Sequence, residues 1–135
     1  MGVLPAALRP VLENGMPACV VTCSADGMPN ATYISEVYYV DDDHVALSHQ
    51  FFSKTKRNLS ENPHAEVWLS DVGGSAHWVV TMEFERSETE GPIFDEMDMH
   101  LQAIASLQGM SDVFALKAAD VFRVHACERI STCDD

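Results

Sequence analysis

The stretch Leu47–Pro63, LSHQFFSKTKRNLSENP, decides how the rest of the chain is read. The protein has 8 Lys and Arg against 21 Asp and Glu, yet Lys54, Lys56 and Arg57 fall almost side by side, with Glu61 the nearest carboxylate. The run before it, HVALS, has the composition of a strand that ends at Ser48, and Ser53 suits a helix N-cap. KTKRNLSEN then reads as a short helix stopping at Asn62, because the residue before a proline is pushed out of helical geometry. A helix start exposes unpaired N–H groups and the positive end of the dipole, so basic residues there are unfavourable unless an anion compensates them. Two readings stay open: a phosphate site, or solvated charges on a connecting helix.

Composition narrows the partners. A length of 135 residues suits one domain spanning 1–135, with a core over about 8–127 and an acidic tail at 128–135. The formal net charge of −13 repels nucleic acid and anionic membrane surfaces, so an anionic ligand would be small and locally held. No apolar run has the roughly 18 residues of a membrane span, and MGVLPAALRP lacks the order of a signal peptide, which leads to the expectation of a cytoplasmic protein. Cys19, Cys23, Cys127 and Cys133 have no metal-site spacing: on a strand Cys19 and Cys23 lie about 13 Å apart at ~3.3 Å per residue. They read as buried free thiols, and no metal is expected.

Outward from the opening stretch, Leu8, Val11 and Leu12 keep helical spacing over 5–14, closed by Asn14-Gly15. PACVVTCSA and NATYISEVYYV read as strands joined at Asp26-Gly27. The Asp41–Asp43 run reads as a solvated turn into HVALS. HAEVWLSDV is a strand, Gly73-Gly74 a turn, and HWVVTMEFERSE a long strand with Trp78, Val80, Met82 and Phe84 on one face and His77, Thr81, Glu83 and Glu85 on the other. Gly91-Pro92 opens a helix with Ile93, Met97, Leu101 and Ile104 on one stripe, ending near Gly109. ADVFRVHACERI is the last strand, with Phe122, Val124 and Ala126 inward and Arg123 and His125 outward. The whole is mainly β: about six strands in an antiparallel split β-barrel of Greek-key type with flanking helices, since a sheet this small curls to cover its edges.

The Asp26-Gly27 hairpin with Pro29 behind it, the strand ending in VALS, and S-K-T-K-R-N-L-x-x-N-P over Ser53–Pro63 together resemble the pyridoxamine 5'-phosphate oxidase-like split-barrel family of flavin-binding proteins, over roughly residues 8 to 127. The resemblance implies an FMN-binding barrel working as a homodimer, with the flavin in a groove between subunits and a small-molecule substrate. It implies that Thr32, Tyr33, Ile34 and Ser35 run along the isoalloxazine and ribityl chain. It implies polar contacts from Ser48, a phosphate met by Ser53, Lys54 and Thr55 with help from Arg57, and His77 approaching from the long strand, across the dimer.

The family's basic pair is here Lys54-Thr55, and Glu36 stands where a basic residue is usual; the chain also lacks the longer C-terminal segment of the vitamin B6 oxidases. These departures speak against pyridoxamine phosphate oxidation itself, and the loss of the basic pair favours a module without enzymatic activity; the first expectation is an FMN-dependent oxidoreductase or flavin reductase of undetermined substrate. A non-enzymatic flavin-binding or sensory module is the alternative. Haem is the further alternative, with His49 and His77 placed nearest the groove among six histidines.

Overall fold

The computed structural model describes residues 2–13, 18–34, 37–49, 53–70, 76–107 and 116–131. A short 3-10 turn at Ala6–Leu8 leads into α1 (Arg9–Glu13). Then follow β1 (Ala18–Cys23), β2 (Pro29–Ile34), β3 (Val37–Asp41), β4 (His44–His49), α2 (Ser53–Glu61), β5 (His64–Ser70), β6 (Ala76–Glu88), α3 (Pro92–Leu107) and β7 (Ala118–Ser131). The strands form one antiparallel sheet in the order β2-β1-β5-β6-β7-β4-β3. Its two edges, β2 and β3, are consecutive in the chain, and the step from Ile34 to Val37 spans at most about 11 Å at 3.8 Å per Cα–Cα step. The sheet must therefore curl until its edges nearly meet, which makes the split barrel.

That step is also why the strands number seven rather than six. NATYISEVYYV reads as one strand but serves both edges, β2 pairing with β1 and β3 with β4. The semi-apolar character of both its faces follows from this change of partner. The β1–β2 turn forms as Asp26-Gly27 requires: Gly27 has φ 86°, left-handed space that glycine enters without steric cost, and its N–H donates to the Ser24 carbonyl.

The barrel interior holds Val20, Val45, Leu47, Val67, Val80, Met82, Phe122 and Val124, with Leu8 added from the 3-10 turn and Val11 and Leu12 from α1. A second cluster lies outside the barrel, where Met97 and Leu101 of α3 cover Ala46, Ala119 and Val121. β4 and the start of β7 are thus buried on both faces: Val45, Ala46, Leu47 and Ser48 are all buried in succession, as are Ala118, Ala119, Asp120, Val121 and Phe122. By contrast, the outer face of β2, β1 and β5 keeps exposed apolar side chains, Tyr33 at 80% and Trp68 at 44% exposure.

In β6 the expected faces hold, with Trp78, Val80 and Met82 buried and Glu85 exposed. In β7 the expectation for Ala126 does not hold. A register shift pairs Met82 with Val124 but Thr81 with Ala126, so the extra residue, His125, reverses the alternation; Ala126 is exposed and Cys127 packs against the core instead. Cys19, Cys23 and Cys127 are free but partly exposed rather than buried, and burial pushes the Cys127 thiol up to about 11. The Asn14-Gly15 and Gly73-Gly74 turns and the helix end near Gly109 lie outside the described residues.

Candidate functional site

α2 lies across one mouth of the barrel, and its motif residues explain why. Thr55, Asn58 and Leu59 are buried at 1, 3 and 4% exposure. Asn58 Nδ2 donates to Thr22 Oγ1 at 3.2 Å, and Asn30 Nδ2 donates to Thr55 Oγ1 at 3.2 Å, tying the helix to β1 and β2. Leu59 enters the barrel core. The Asn62 N–H donates to the Asn58 carbonyl at 2.7 Å, Asn62 Oδ1 accepts from His64 N–H at 3.3 Å, and the Pro63 carbonyl accepts from Phe84 N–H at 2.7 Å. The N-L-x-x-N-P run is therefore the device that seats and ends the helix, not a ligand set.

Two of the three cations of the stretch, Lys56 and Arg57, separate. Lys56 turns to the opposite wall, where its Nζ donates to Asp120 Oδ1 at 3.0 Å and to Ser87 Oγ at 2.7 Å. Arg57 is exposed and pairs with no carboxylate among the described residues; it lines a cleft of about 430 Å³ with Asn58, Glu61 and the Ser24–Met28 turn. The cleft's two carboxylates are already engaged. Glu61 accepts from Ala25 N–H at 3.0 Å, and the Ser24 hydroxyl donates to Asp26, which holds the Asp26 carboxyl below its ordinary range. Lys54 stands three residues before Arg57, one turn earlier on the helix, and the first turn carries no acidic residue. Side-chain placement of Ser53, Lys54 and His49 lies outside the described residues, as does Ser35 altogether.

The other expected site residues fall in three places. Thr32 pairs across from Val20 and Ile34 from Ala18, so both point to the barrel interior, Ile34 buried at 5%. Tyr33 pairs with Cys19, and Cys19 with Trp68, placing Tyr33, Cys19 and Trp68 in a row on the open outer face. His77 lies on that same face, its Nδ1 2.7 Å from Ser70 Oγ and far along the sheet from α2, at the opposite end of β5 from His64. Ser48 faces α3 beside Ala119, buried at 3%. The structure thus gathers Ser53, Lys54, Thr55 and Arg57 with the start of β2 at one mouth; Tyr33 and His77 share the outer face but stand on β2 and β6 with β1 and β5 between them, and neither is brought to that mouth within one chain. Asn30, Trp68 and Asp120 are additional residues here. Asp120 could have been noticed as an acid inside the apolar run AADVF, and Trp68 as an aromatic on the polar phase of HAEVWLSDV.

The model of the family described as pyridoxamine 5'-phosphate oxidase matches residues 4–125. The chain belongs to that family. Solved structures of similar fold include an FMN-binding protein from Syntrophomonas wolfei subsp. wolfei (TM-score 0.79, 19% identity, 93% of this chain and 85% of that one), HupZ from Group A Streptococcus (0.71, 20%, 96% and 95%), and HutZ, the haem storage protein of Vibrio cholerae (0.58, 15%, 97% and 95%). At these identities the likeness speaks for the fold. A comparison with curated proteins gives no match.

Proposed function

We propose that this chain is an FMN-binding protein of the pyridoxamine 5'-phosphate oxidase family, acting as a homodimeric flavin-dependent oxidoreductase or flavin reductase on a small molecule. The observation that carries the reading is the meeting of a free sheet edge with a cationic helix start. β2 is the end strand of the sheet, with one side of its main chain unpaired among the described residues, and Asn30 at its beginning is hydrogen-bonded to Thr55 in the first turn of α2. Six residues of β2 span about 17–20 Å, room for an extended mononucleotide lying along the edge with its phosphate at α2.

The residues present fit the phosphate end. The leading N–H groups of α2 face no acidic residue in their own turn, Arg57 is uncommitted among the described residues, and the neighbouring carboxylates are held by Ser24 and Ala25. When bound, the isoalloxazine supplies the redox chemistry. The chain's part is to bind and orient: Lys54 and Arg57 neutralise the phosphate, the β2 edge offers main-chain donors and acceptors, and Tyr33 gives an aromatic surface beside it.

The outer face supports the dimer. Tyr33, Cys19, Trp68, Val21 and Ala31 form an apolar patch that no helix covers among the described residues, whereas α3 covers the equivalent face of β7 and β4. A second copy seated there would bring its own His77 near the first copy's β2. Free thiols suit a reducing, cytoplasmic setting.

One observation favours a second reading, a non-enzymatic flavin or haem module on the same fold. Thr55, which stands in the family's basic pair, is buried and hydrogen-bonded to Asn30. The absorption spectrum of the purified protein tests both. Flavin bands that survive gel filtration support FMN, a Soret band supports haem, and a colourless protein that takes up neither on titration contradicts both.

A further inference from the structure

Asp120 lies on the inner side of β7 with Phe122 and Val124 and is 1% exposed. Lys56 Nζ reaches its Oδ1 at 3.0 Å and Ser87 Oγ donates to the same oxygen at 2.6 Å, while Lys56 also donates to Ser87 at 2.7 Å. The Lys56 ammonium stands 4.9 Å from the centre of the Phe84 ring, which packs against Phe122 with the two rings inclined at 73°. A buried carboxylate stripped of its cation is strongly disfavoured, so this triangle is held closed.

The consequence concerns where α2 can sit. Thr55–Asn30 and Asn58–Thr22 attach one side of the helix to β2 and β1, and a helix held on one side can pivot about that line. Lys56 fixes the other side to β6 and β7, and its neighbours in sequence are Thr55 and Arg57. Recognition of an anion by fixed N–H groups tolerates misplacement of only about 0.5 Å.

We propose that Asp120, through Lys56, is a positioning residue that sets α2 for the phosphate of the cofactor while touching no ligand itself. The inference rests on the FMN reading. It assigns Lys56, the central cation of the cluster, to the scaffold rather than to the ligand.

The test compares FMN with riboflavin, which is the same flavin without the phosphate. Dissociation constants for both are measured by fluorescence titration on the full chain, its Asp120→Asn and Lys56→Met variants, and the double variant. The expected result is a loss of about tenfold in FMN affinity in each variant. Riboflavin affinity should stay within about twofold, and the double variant should be no worse than either single one. A parallel fall for FMN and riboflavin, or undiminished FMN affinity in the variants, overturns the positioning role. If Asp120→Asn fails to fold, Lys56→Met, at a side chain 35% exposed, carries the comparison. A wild-type chain that binds FMN no better than riboflavin overturns the phosphate reading itself, a result separate from failure of the latch.

Discussion

Replacing Asn58 by alanine tests whether the mouth of the barrel is closed by the polar contacts described. Asn58 and Thr22 are 3 and 2% exposed, and the 3.2 Å bond between them crosses from α2 to β1. The substitution removes a net hydrogen-bond contribution of about 0.5–1.5 kcal/mol and leaves the Thr22 hydroxyl buried without that donor, a further cost of about 1–3 kcal/mol. Part of the second term is relieved if water enters from the adjoining cleft. A destabilisation of about 2–3 kcal/mol is expected, read as a drop of roughly 6–10 °C in Tm for a chain of this size. The assay is urea and thermal unfolding at fixed protein concentration, since an associating protein has a concentration-dependent Tm. Ser60→Ala is the control: Ser60 is exposed and, among the described residues, donates only to the Arg57 carbonyl, so its loss should stay within about 0.5 kcal/mol. Thr22→Val combined with Asn58→Ala should cost clearly less than the sum of the two changes. An Asn58→Ala protein as stable as the Ser60→Ala control would refute the reasoning.

Three further outcomes follow from other parts of the structure. Tyr33→Glu with Trp68→Glu places charge on the uncovered apolar face; light scattering should show a dimer in the parent and a monomer in the variant, and an unchanged mass would exclude that face as the interface. The Asp41 carboxylate, followed by Glu85, raises the His44 imidazole above its ordinary value of 6.5. Its ionic contribution is therefore complete below that value and lost as pH rises through the folded one. His44→Gln should cost more stability at about pH 5.5 than at about pH 8.5, by on the order of 0.5–1 kcal/mol, and a pH-independent difference would contradict it. Partial burial of Cys127, with its thiol pushed up to about 11, predicts slow alkylation at about pH 8, checked by mass spectrometry against the same cysteine in urea.

Most of the fold was legible because alternation and helical spacing are local. HWVVTMEFERSE and Leu8, Val11 and Leu12 could be assigned to faces without knowing their partners. What stayed hidden depended on partners distant in sequence. NATYISEVYYV keeps an unbroken strand pattern, yet its halves pair with β1 and β4 on opposite edges, which only the closed sheet reveals. The His125 bulge likewise arises from the register between β6 and β7 rather than from any residue of unusual propensity. At the candidate site the cationic cluster could be located by composition, but not divided. Lys56 is claimed by Asp120, 64 positions away, while Arg57 turns to the β1–β2 hairpin; that division follows from the phase of α2 on the barrel mouth.

The central claim is that the start of α2 holds the phosphate of FMN. Its most direct test is equilibrium titration of FMN into the parent chain and into a Lys54→Ala, Arg57→Ala double variant. Two charge-assisted contacts at about 1.5–3 kcal/mol each predict a weakening of at least a hundredfold. Equal FMN affinity in the two proteins would contradict the account.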